Sequence, residues 1–100
     1  MKALRFFTEG NDMIYTLEGT KMTSKNEAHA YIAGVLGFPP YYGKNLDALF
    51  DCLCELSKDS EIRITSPESI LDSLGDYGRK LLDVFRDAAF DRWITLTISE

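Results

Sequence analysis

Three short runs rich in β-branched and aromatic residues alternate with longer stretches of helical periodicity: MIYTL, EIRIT and WITLTIS. Strands that alternate with helices are joined by crossover connections, which place the strands parallel in one sheet. The sequence therefore predicts an α/β fold with a small, largely parallel sheet. A further run, ALRFF, precedes the turn cluster TEGND, so it could form an extra N-terminal strand or lie apart from the sheet. One hundred residues suffice for one hydrophobic core, and we expect a single domain over 1–100.

The clearest predicted helix begins after Ser24, which forms a capping box with Glu27. Its apolar residues recur at helical spacing: Ala28, Tyr31, Ile32, Val35 and Leu36. Gly37 is placed to end this helix, and two prolines follow it. His29 is the only histidine of the chain, and we expect it to be a surface or partly packed residue rather than a catalyst.

Three more helices are predicted downstream. Asn45 is a suitable N-cap for the second helix, whose inward stripe comprises Leu46, Leu49, Phe50, Leu53 and Leu56. Ser66 and Pro67 are an N-cap and first-turn pair for a brief helix that ends near Gly75. Asp76 can cap the last helix, whose apolar face comprises Leu81, Leu82, Val84, Phe85, Ala88 and Ala89.

Composition excludes some functions and leaves others open. The net charge of −5 disfavours direct binding of nucleic acid, which requires a basic surface, but it allows a basic protein partner. No apolar run approaches the roughly 20 residues of a membrane span, and the start of the chain turns polar too early for a secretory signal, so we expect a cytoplasmic protein. Cys52 and Cys54 lie on different sides of a helix, which predicts free thiols, at least one of them buried.

Asp47 and Asp51 lie four residues apart in the second helix, which contains no Lys or Arg. In the first turn, Asp47 is stabilised by the helix dipole by roughly 0.3 to 1 kcal/mol. At Asp51 the dipole has faded, and a like-charged pair at this spacing costs roughly 0.2 to 0.5 kcal/mol. Helix stability therefore explains Asp47 but not Asp51. Either a solvated helix face tolerates this cost, or the charge serves a partner.

A second acidic series lies in the last helix, where Asp83, Asp87 and Asp91 recur every four residues. If the two helices lie side by side, Asp87 joins Asp47 and Asp51 in one acidic surface. If they do not, each series is a solvated helix face.

Two tyrosines, Tyr41 and Tyr42, precede the acidic helix in a loop held by Pro40 and Gly43. We expect one of them in the core and the other exposed. An exposed tyrosine beside charges is enriched at protein interfaces, and a loop held by prolines loses little entropy when it binds.

The stretch YYGKNLDALFDCL, residues 41–53, resembles the signature of the barstar family, intracellular inhibitors of the ribonuclease barnase. The similarity extends to LGFPPYYG before it, and to LLDVFRDA and ITLTIS near the end of the chain. It covers about residues 13–99 and leaves 1–12 as an apparent extension. The resemblance implies a three-stranded parallel sheet packed by helices, and inhibition by inserting the second helix and its preceding loop into a nuclease active site.

In that picture, the carboxylate of Asp51 occupies the place of a substrate phosphate, and Asp47 adds a second charge. Tyr41 packs against the catalytic region of the nuclease. The resemblance implies these partner-binding residues: Tyr41, Gly43, Asn45, Asp47, Phe50, Asp51 and Asp87. Neither a catalytic residue nor a metal nor a cofactor is implied, and the free protein is expected to be a monomer.

Several positions depart from the family pattern. Phe50 and Leu56 stand where barstar has tryptophans, and Phe90 falls at an expected acidic position. Lys44 reverses a charge in the loop, and Asp87 is one methylene shorter than the family's glutamate. The target could therefore be barnase, a related ribonuclease or a toxin nuclease with a similar basic pocket.

Two other functions remain open from the residues. Paired carboxylates also serve hydrolases and metal sites, but no further converging ligands, nucleophile and base, or phosphate loop occur in the sequence. A barstar-like module could instead bind a different partner through an apolar surface formed by Phe50, Leu56 and Phe90.

Overall fold

In a computed structural model of the protein, residues 14–57, 60–92 and 94–99 are described. The run ALRFF, which could form an extra strand, lies outside the described residues, as do the apparent extension over 1–12 and Trp93.

Three parallel strands form one sheet in the order β1 (Ile14–Glu18), β2 (Glu61–Thr65) and β3 (Thr95–Ser99). In this register Leu17 of β1 lies beside Ile64 of β2, which lies beside Ile98 of β3. The predicted α/β fold with a small parallel sheet is confirmed.

One face of the sheet faces the core. Leu17 and Ile64 point to the same side and are fully buried. Because side chains alternate along a strand, Thr16, Arg63 and Thr97 lie in register on the opposite side, where all three are exposed. The hydrophobic core therefore lies between one face of the sheet and the helices.

The helices are α1 (Lys25–Leu36), α2 (Leu46–Cys54), α3 (Pro67–Leu74) and α4 (Asp76–Arg92), and a 3₁₀ turn (Gly19–Lys21) follows β1. The N-cap of α1 is as predicted, since Ser24 Oγ accepts a hydrogen bond from the Glu27 N–H at 3.1 Å. Gly37 ends α1 in the left-handed region at φ 74°. In the described ranges, no helix is both long enough and apolar enough to cross a membrane.

The predicted caps of α3 and α4 are partly wrong. Ser66 occupies the N-cap position of α3, but its backbone is left-handed at φ 50° and its side chain makes no capping hydrogen bond. Asp76 is the first residue of α4 rather than its cap. The reason is that only Gly75 separates α4 from α3, which leaves Asp76 inside the first turn, where its carboxylate pairs with Arg79.

Helix α4 packs against both α2 and α3. Its predicted apolar face is confirmed: Leu81, Leu82, Phe85 and Ala88 are buried, and Val84 and Ala89 are half-buried. The stripe of α2 also faces inward, with Leu49 and Leu53 fully buried and Leu46, Phe50 and Leu56 half-buried. Because this stripe attaches α2 to the core, the other face of α2 is held in a fixed position at the surface.

Candidate functional site

The loop between α1 and α2, residues 37–45, has several local restraints. The Tyr42 N–H donates to the Pro39 carbonyl oxygen at 3.0 Å and closes a turn. Lys44 adopts a left-handed backbone at φ 56°. Asn45 then caps α2 as predicted, because its Oδ1 accepts from the Ala48 N–H at 2.7 Å. These restraints fix how the chain enters α2.

The two tyrosines of the 37–45 loop point in different directions. Tyr42 is 8% exposed and packs against Phe38, with ring centroids 5.0 Å apart. Tyr41 is 85% exposed. The prediction that one tyrosine is core and the other is surface is confirmed. An aromatic ring held out from an anchored loop provides a large contact area at low cost in conformational entropy.

His29 joins this loop to α4. Its side chain is 1% exposed, with Nδ1 lying 2.6 Å from the Tyr42 hydroxyl and Nε2 lying 2.7 Å from the Tyr77 hydroxyl. Burial lowers the pKa of His29 from its usual range, and the positive charge of Lys44 lowers it further. The imidazole is therefore neutral at pH 7. The expected surface or partly packed position of His29 is wrong, because two tyrosine hydroxyls satisfy both ring nitrogens inside the core.

The outer face of α2 is acidic. Asp47, Asp51 and Glu55, the residue that caps the C-terminus of α2, are exposed, and they follow one another at intervals of four residues. Within residues 14–57, 60–92 and 94–99, none of these three carboxylates makes a salt bridge. Among the residues that the structure describes, no basic side chain therefore relieves the repulsion between the carboxylates of Asp47 and Asp51.

A hollow of about 260 Å³ lies between the 37–45 loop and α2. Three of the predicted site residues, Tyr41, Gly43 and Asp51, line it together. The remaining lining residues are Pro39, Tyr42, Ala48, Cys52 and Glu55. The hollow thus combines an exposed aromatic ring with two carboxylates one helical turn apart.

Four other predicted site residues do not line this hollow. Asn45 shapes the start of α2 by capping it, and Asp47 is exposed one turn before Asp51. Phe50 is half-buried and packs against the core. Asp87 is exposed on α4, the helix that packs against α2.

The pKa of the Cys52 thiol is affected by the negative charges at the hollow. Burial raises the pKa of its thiol, and the nearby carboxylates of Glu55 and Asp51 raise it further. The thiol is therefore protonated at neutral pH. Cys52 and Cys54 are both free, as predicted, but both are only half-buried, so the expectation that at least one is buried is wrong. Both flank the buried stripe of α2 rather than lying within it.

Comparisons with known proteins identify the family. A family model described as Barstar (barnase inhibitor) matches residues 13–97. A Bacillus subtilis (strain 168) protein named "Putative ribonuclease inhibitor YrdF" is 32% identical over 73 residues, which cover 72% of this chain and 80% of that relative. The chain belongs to the barstar family. The family membership inferred from YYGKNLDALFDCL and its flanking segments is therefore confirmed.

In this member of the barstar family, the acidic residues of α4 are not equivalent. Asp83 Oδ1 accepts a hydrogen bond from Arg86 Nη1 at 3.1 Å, and its other carboxylate oxygen lies 4.0 Å from Arg79. Asp87 makes no salt bridge with any residue that the structure describes. Asp83 is therefore partly neutralised within its own helix, whereas Asp87 remains an unpaired surface charge in the described part of the molecule.

The acidic hollow lacks the features of a metal site. Among the described residues, no group of three or more His, Cys, Asp or Glu side chains is arranged to hold a metal ion. Two carboxylates beside an aromatic ring suit a different ligand, a cationic side chain, which the charges attract and the ring can stack against.

The sequence patterns did not single out Glu55, which lines the hollow, or the buried position of His29. Glu55 lies one turn beyond Asp51, so continuing the four-residue spacing would have found it. Ile32 and Leu36, on the buried face of α1, follow His29 by three and seven residues. The helical periodicity could therefore have predicted that His29 is buried. Its hydroxyl partners could not be found in this way, because Tyr77 lies 48 residues away.

Proposed function

We propose that this barstar-family protein inhibits a ribonuclease by placing the 37–45 loop and the acidic face of α2 in the nuclease active site. It acts by binding and not by catalysis. The family, described as barnase inhibitors, and the name of the Bacillus subtilis relative support the inhibitor role. The mechanism rests above all on one observation, the hollow in which Asp51 lies with the exposed ring of Tyr41.

Asp51 is the residue that replaces the substrate phosphate. A ribonuclease holds the phosphodiester of RNA with cationic side chains, and a carboxylate forms short, charge-assisted hydrogen bonds with the same groups. Because α2 is attached to the core through Leu49 and Leu53, the Asp51 carboxylate is presented from a rigid element. It offers the nuclease negative charge without a bond that the enzyme can cleave.

The other residues extend the contact around Asp51. Tyr41 covers the catalytic region of the nuclease with its exposed ring, and Gly43 lets the nuclease approach the loop backbone closely. Asp47 and Glu55 continue the negative charge in the two directions along α2. Asn45 holds the start of the helix.

Phe50 and Asp87 contribute at the periphery of this surface, Phe50 from α2 and Asp87 from the neighbouring α4. The target is a basic nuclease of the barnase type or a toxin nuclease with a similar pocket. The net charge of −5 on this protein favours such a partner.

A second candidate function is docking of a different partner through an apolar surface. Phe90 is 86% exposed and favours this alternative. Phe50 and Leu56, which were expected to share that surface, are half-buried against the core and offer it less area.

The experiment that separates these functions is inhibition of barnase at several RNA concentrations. If Asp51 occupies the phosphate site, inhibition is competitive with RNA, and the apparent inhibition constant increases linearly with the RNA concentration. Phe90→Ser leaves this inhibition constant unchanged. Inhibition that does not depend on RNA concentration and is lost in Phe90→Ser would favour the apolar surface and contradict the phosphate-site mechanism.

A further inference from the structure

The imidazole of His29 is a buried functional group that makes no direct contact in the proposed inhibition. It is 1% exposed, so it cannot touch a nuclease without rearrangement of the fold. Both of its ring nitrogens nevertheless lie at hydrogen-bond distance from tyrosine hydroxyls. A buried polar group that is fully satisfied in this way fixes the relative positions of the elements it joins.

The two hydroxyls come from elements with different roles. Tyr42 belongs to the 37–45 loop, directly between Tyr41 and Gly43, which both line the acidic hollow. Tyr77 belongs to the first turns of α4, and it does not line the hollow. The bond from His29 to Tyr42 therefore acts on the proposed nuclease-binding surface, whereas the bond to Tyr77 acts on the core beneath it.

We propose that His29 is a positioning residue for the nuclease-binding surface: its imidazole holds the Tyr42 hydroxyl, and thereby keeps the 37–45 loop in the conformation that presents Tyr41 and Gly43. This proposal rests on the proposed inhibitor function for its effect on binding. The effect on the loop itself is a property of the free protein.

Protonation of His29 weakens this arrangement. The groups around the imidazole are the hydroxyls of Tyr42 and Tyr77, the cation of Lys44 in the loop, and the cation of Lys25, which lies 4.6 Å from the centre of the Tyr77 ring. No carboxylate within the described ranges makes a salt bridge with His29. An imidazolium here is buried, unpaired and repelled by Lys44, a residue of the same loop.

A pair of matched substitutions separates positioning from general stabilisation. Tyr42→Phe and Tyr77→Phe each remove one hydroxyl from the same imidazole. We expect Tyr42→Phe to increase the dissociation rate of the complex with barnase by about threefold to tenfold, the worth of one hydrogen bond. Tyr77→Phe leaves that rate within about twofold while it lowers the melting temperature. Equal changes in dissociation rate for both variants would overturn the proposal.

The pH profile provides a second readout. We expect the affinity of the wild-type protein for barnase to fall by more than that of His29→Gln as the pH is lowered from 7.5 through the range in which the His29 imidazole of the folded protein titrates, a range that a nuclear magnetic resonance titration of the free protein locates. The comparison between the two proteins cancels the titration of barnase itself. Parallel pH profiles for the two proteins would overturn the proposal.

A measurement on the free protein keeps this proposal separate from the proposed function. In nuclear magnetic resonance spectra, the backbone amides of Tyr42, Gly43 and Lys44 should shift together as the His29 imidazole titrates, and should not do so in His29→Gln. If the protein does not bind barnase but its loop amides shift with the titration of His29, the proposed partner is contradicted and the positioning role is supported. Inhibition of barnase by a protein whose loop amides do not follow His29 would support the function and overturn the positioning role.

Discussion

At the scale of single residues, His29 makes the stability of the fold depend on pH near neutrality. Its pKa is lowered in the folded protein by burial and by Lys44. Below the unfolded pKa of about 6.5, the unfolded chain therefore binds more protons than the folded protein does. The free energy of unfolding consequently decreases as the pH falls from about 6.5 towards the folded pKa.

This pH dependence can be measured by urea denaturation at pH 7.5 and pH 5.5. The wild-type protein should lose more stability over this interval than His29→Gln, which has no titrating group at this position. Equal losses for the two proteins would show that His29 does not carry the effect.

At the same scale, the sequence predicted charges and surface aromatics better than buried polar contacts. Asp51 could be selected because an uncompensated charge is a local pattern, and the loop pattern predicted one exposed tyrosine, but only the resemblance to barstar selected Tyr41 over Tyr42. The burial of His29 could have followed from the periodicity of α1, but its contact with Tyr77 depends on the packing of α4 and has no local signal.

At the scale of helices, two glycines have opposite roles that can be tested as a pair. A Cβ added at Gly78 in α4 would lie 2.7 Å from the Ile70 carbonyl oxygen of α3, whereas a Cβ at Gly34 in α1 would have no atom within 4 Å. We expect Gly78→Ala to destabilise the protein by about 1 to 3 kcal/mol, because α3 and α4 must move apart. Gly34→Ala should stabilise it by about 0.5 to 1 kcal/mol through helix propensity.

Chemical denaturation of both variants measures these changes in the free energy of unfolding. A neutral Gly78→Ala would mean that α3 and α4 do not require this close approach. A destabilising Gly34→Ala would mean that α1 has a neighbour at this position.

Helix boundaries could be predicted where a loop flanks the capping residue, and the prediction was wrong at Ser66 and at Asp76, which begin the two helices that follow each other directly. Ser24, Gly37 and Asn45 have the predicted capping roles because each is flanked by a loop. Ser66 and Asp76 do not cap as predicted. The sequence placed the end of one helix near Gly75 and the cap of the next at Asp76, but the connection is the single residue Gly75, so Asp76 already belongs to the first turn of α4.

For the whole molecule, the alternation of strands and helices was sufficient to predict the parallel sheet, since crossover connections leave few other arrangements. The hollow was not predictable, because it depends on how the 37–45 loop folds back beside α2. Only the resemblance to barstar brought Tyr41, Gly43 and Asp51 together before the structure did.

The net charge of −5 leads to a prediction about association with the nuclease. Because opposite charges accelerate encounter and salt screens them, the association rate with barnase should fall by about tenfold or more between 50 mM and 500 mM NaCl. Dissociation should change much less. Stopped-flow fluorescence measures both rates, and an association rate that is insensitive to salt would favour an apolar docking surface.

A titration of barnase activity tests whether the carboxylate of Asp51 replaces a substrate phosphate. The wild-type protein, Asp51→Ala and Asp72→Ala are each added to barnase at a nuclease concentration well above the expected dissociation constant. Asp72 is the matched control, since it is also exposed but lies on α3. We expect stoichiometric inhibition by the wild-type protein and Asp72→Ala, and affinity reduced by roughly a hundredfold or more in Asp51→Ala, as for loss of one partner of a buried ion pair. Equal inhibition by the wild-type protein and Asp51→Ala would contradict this role of Asp51, whereas no inhibition by any of the three proteins would contradict barnase as the partner.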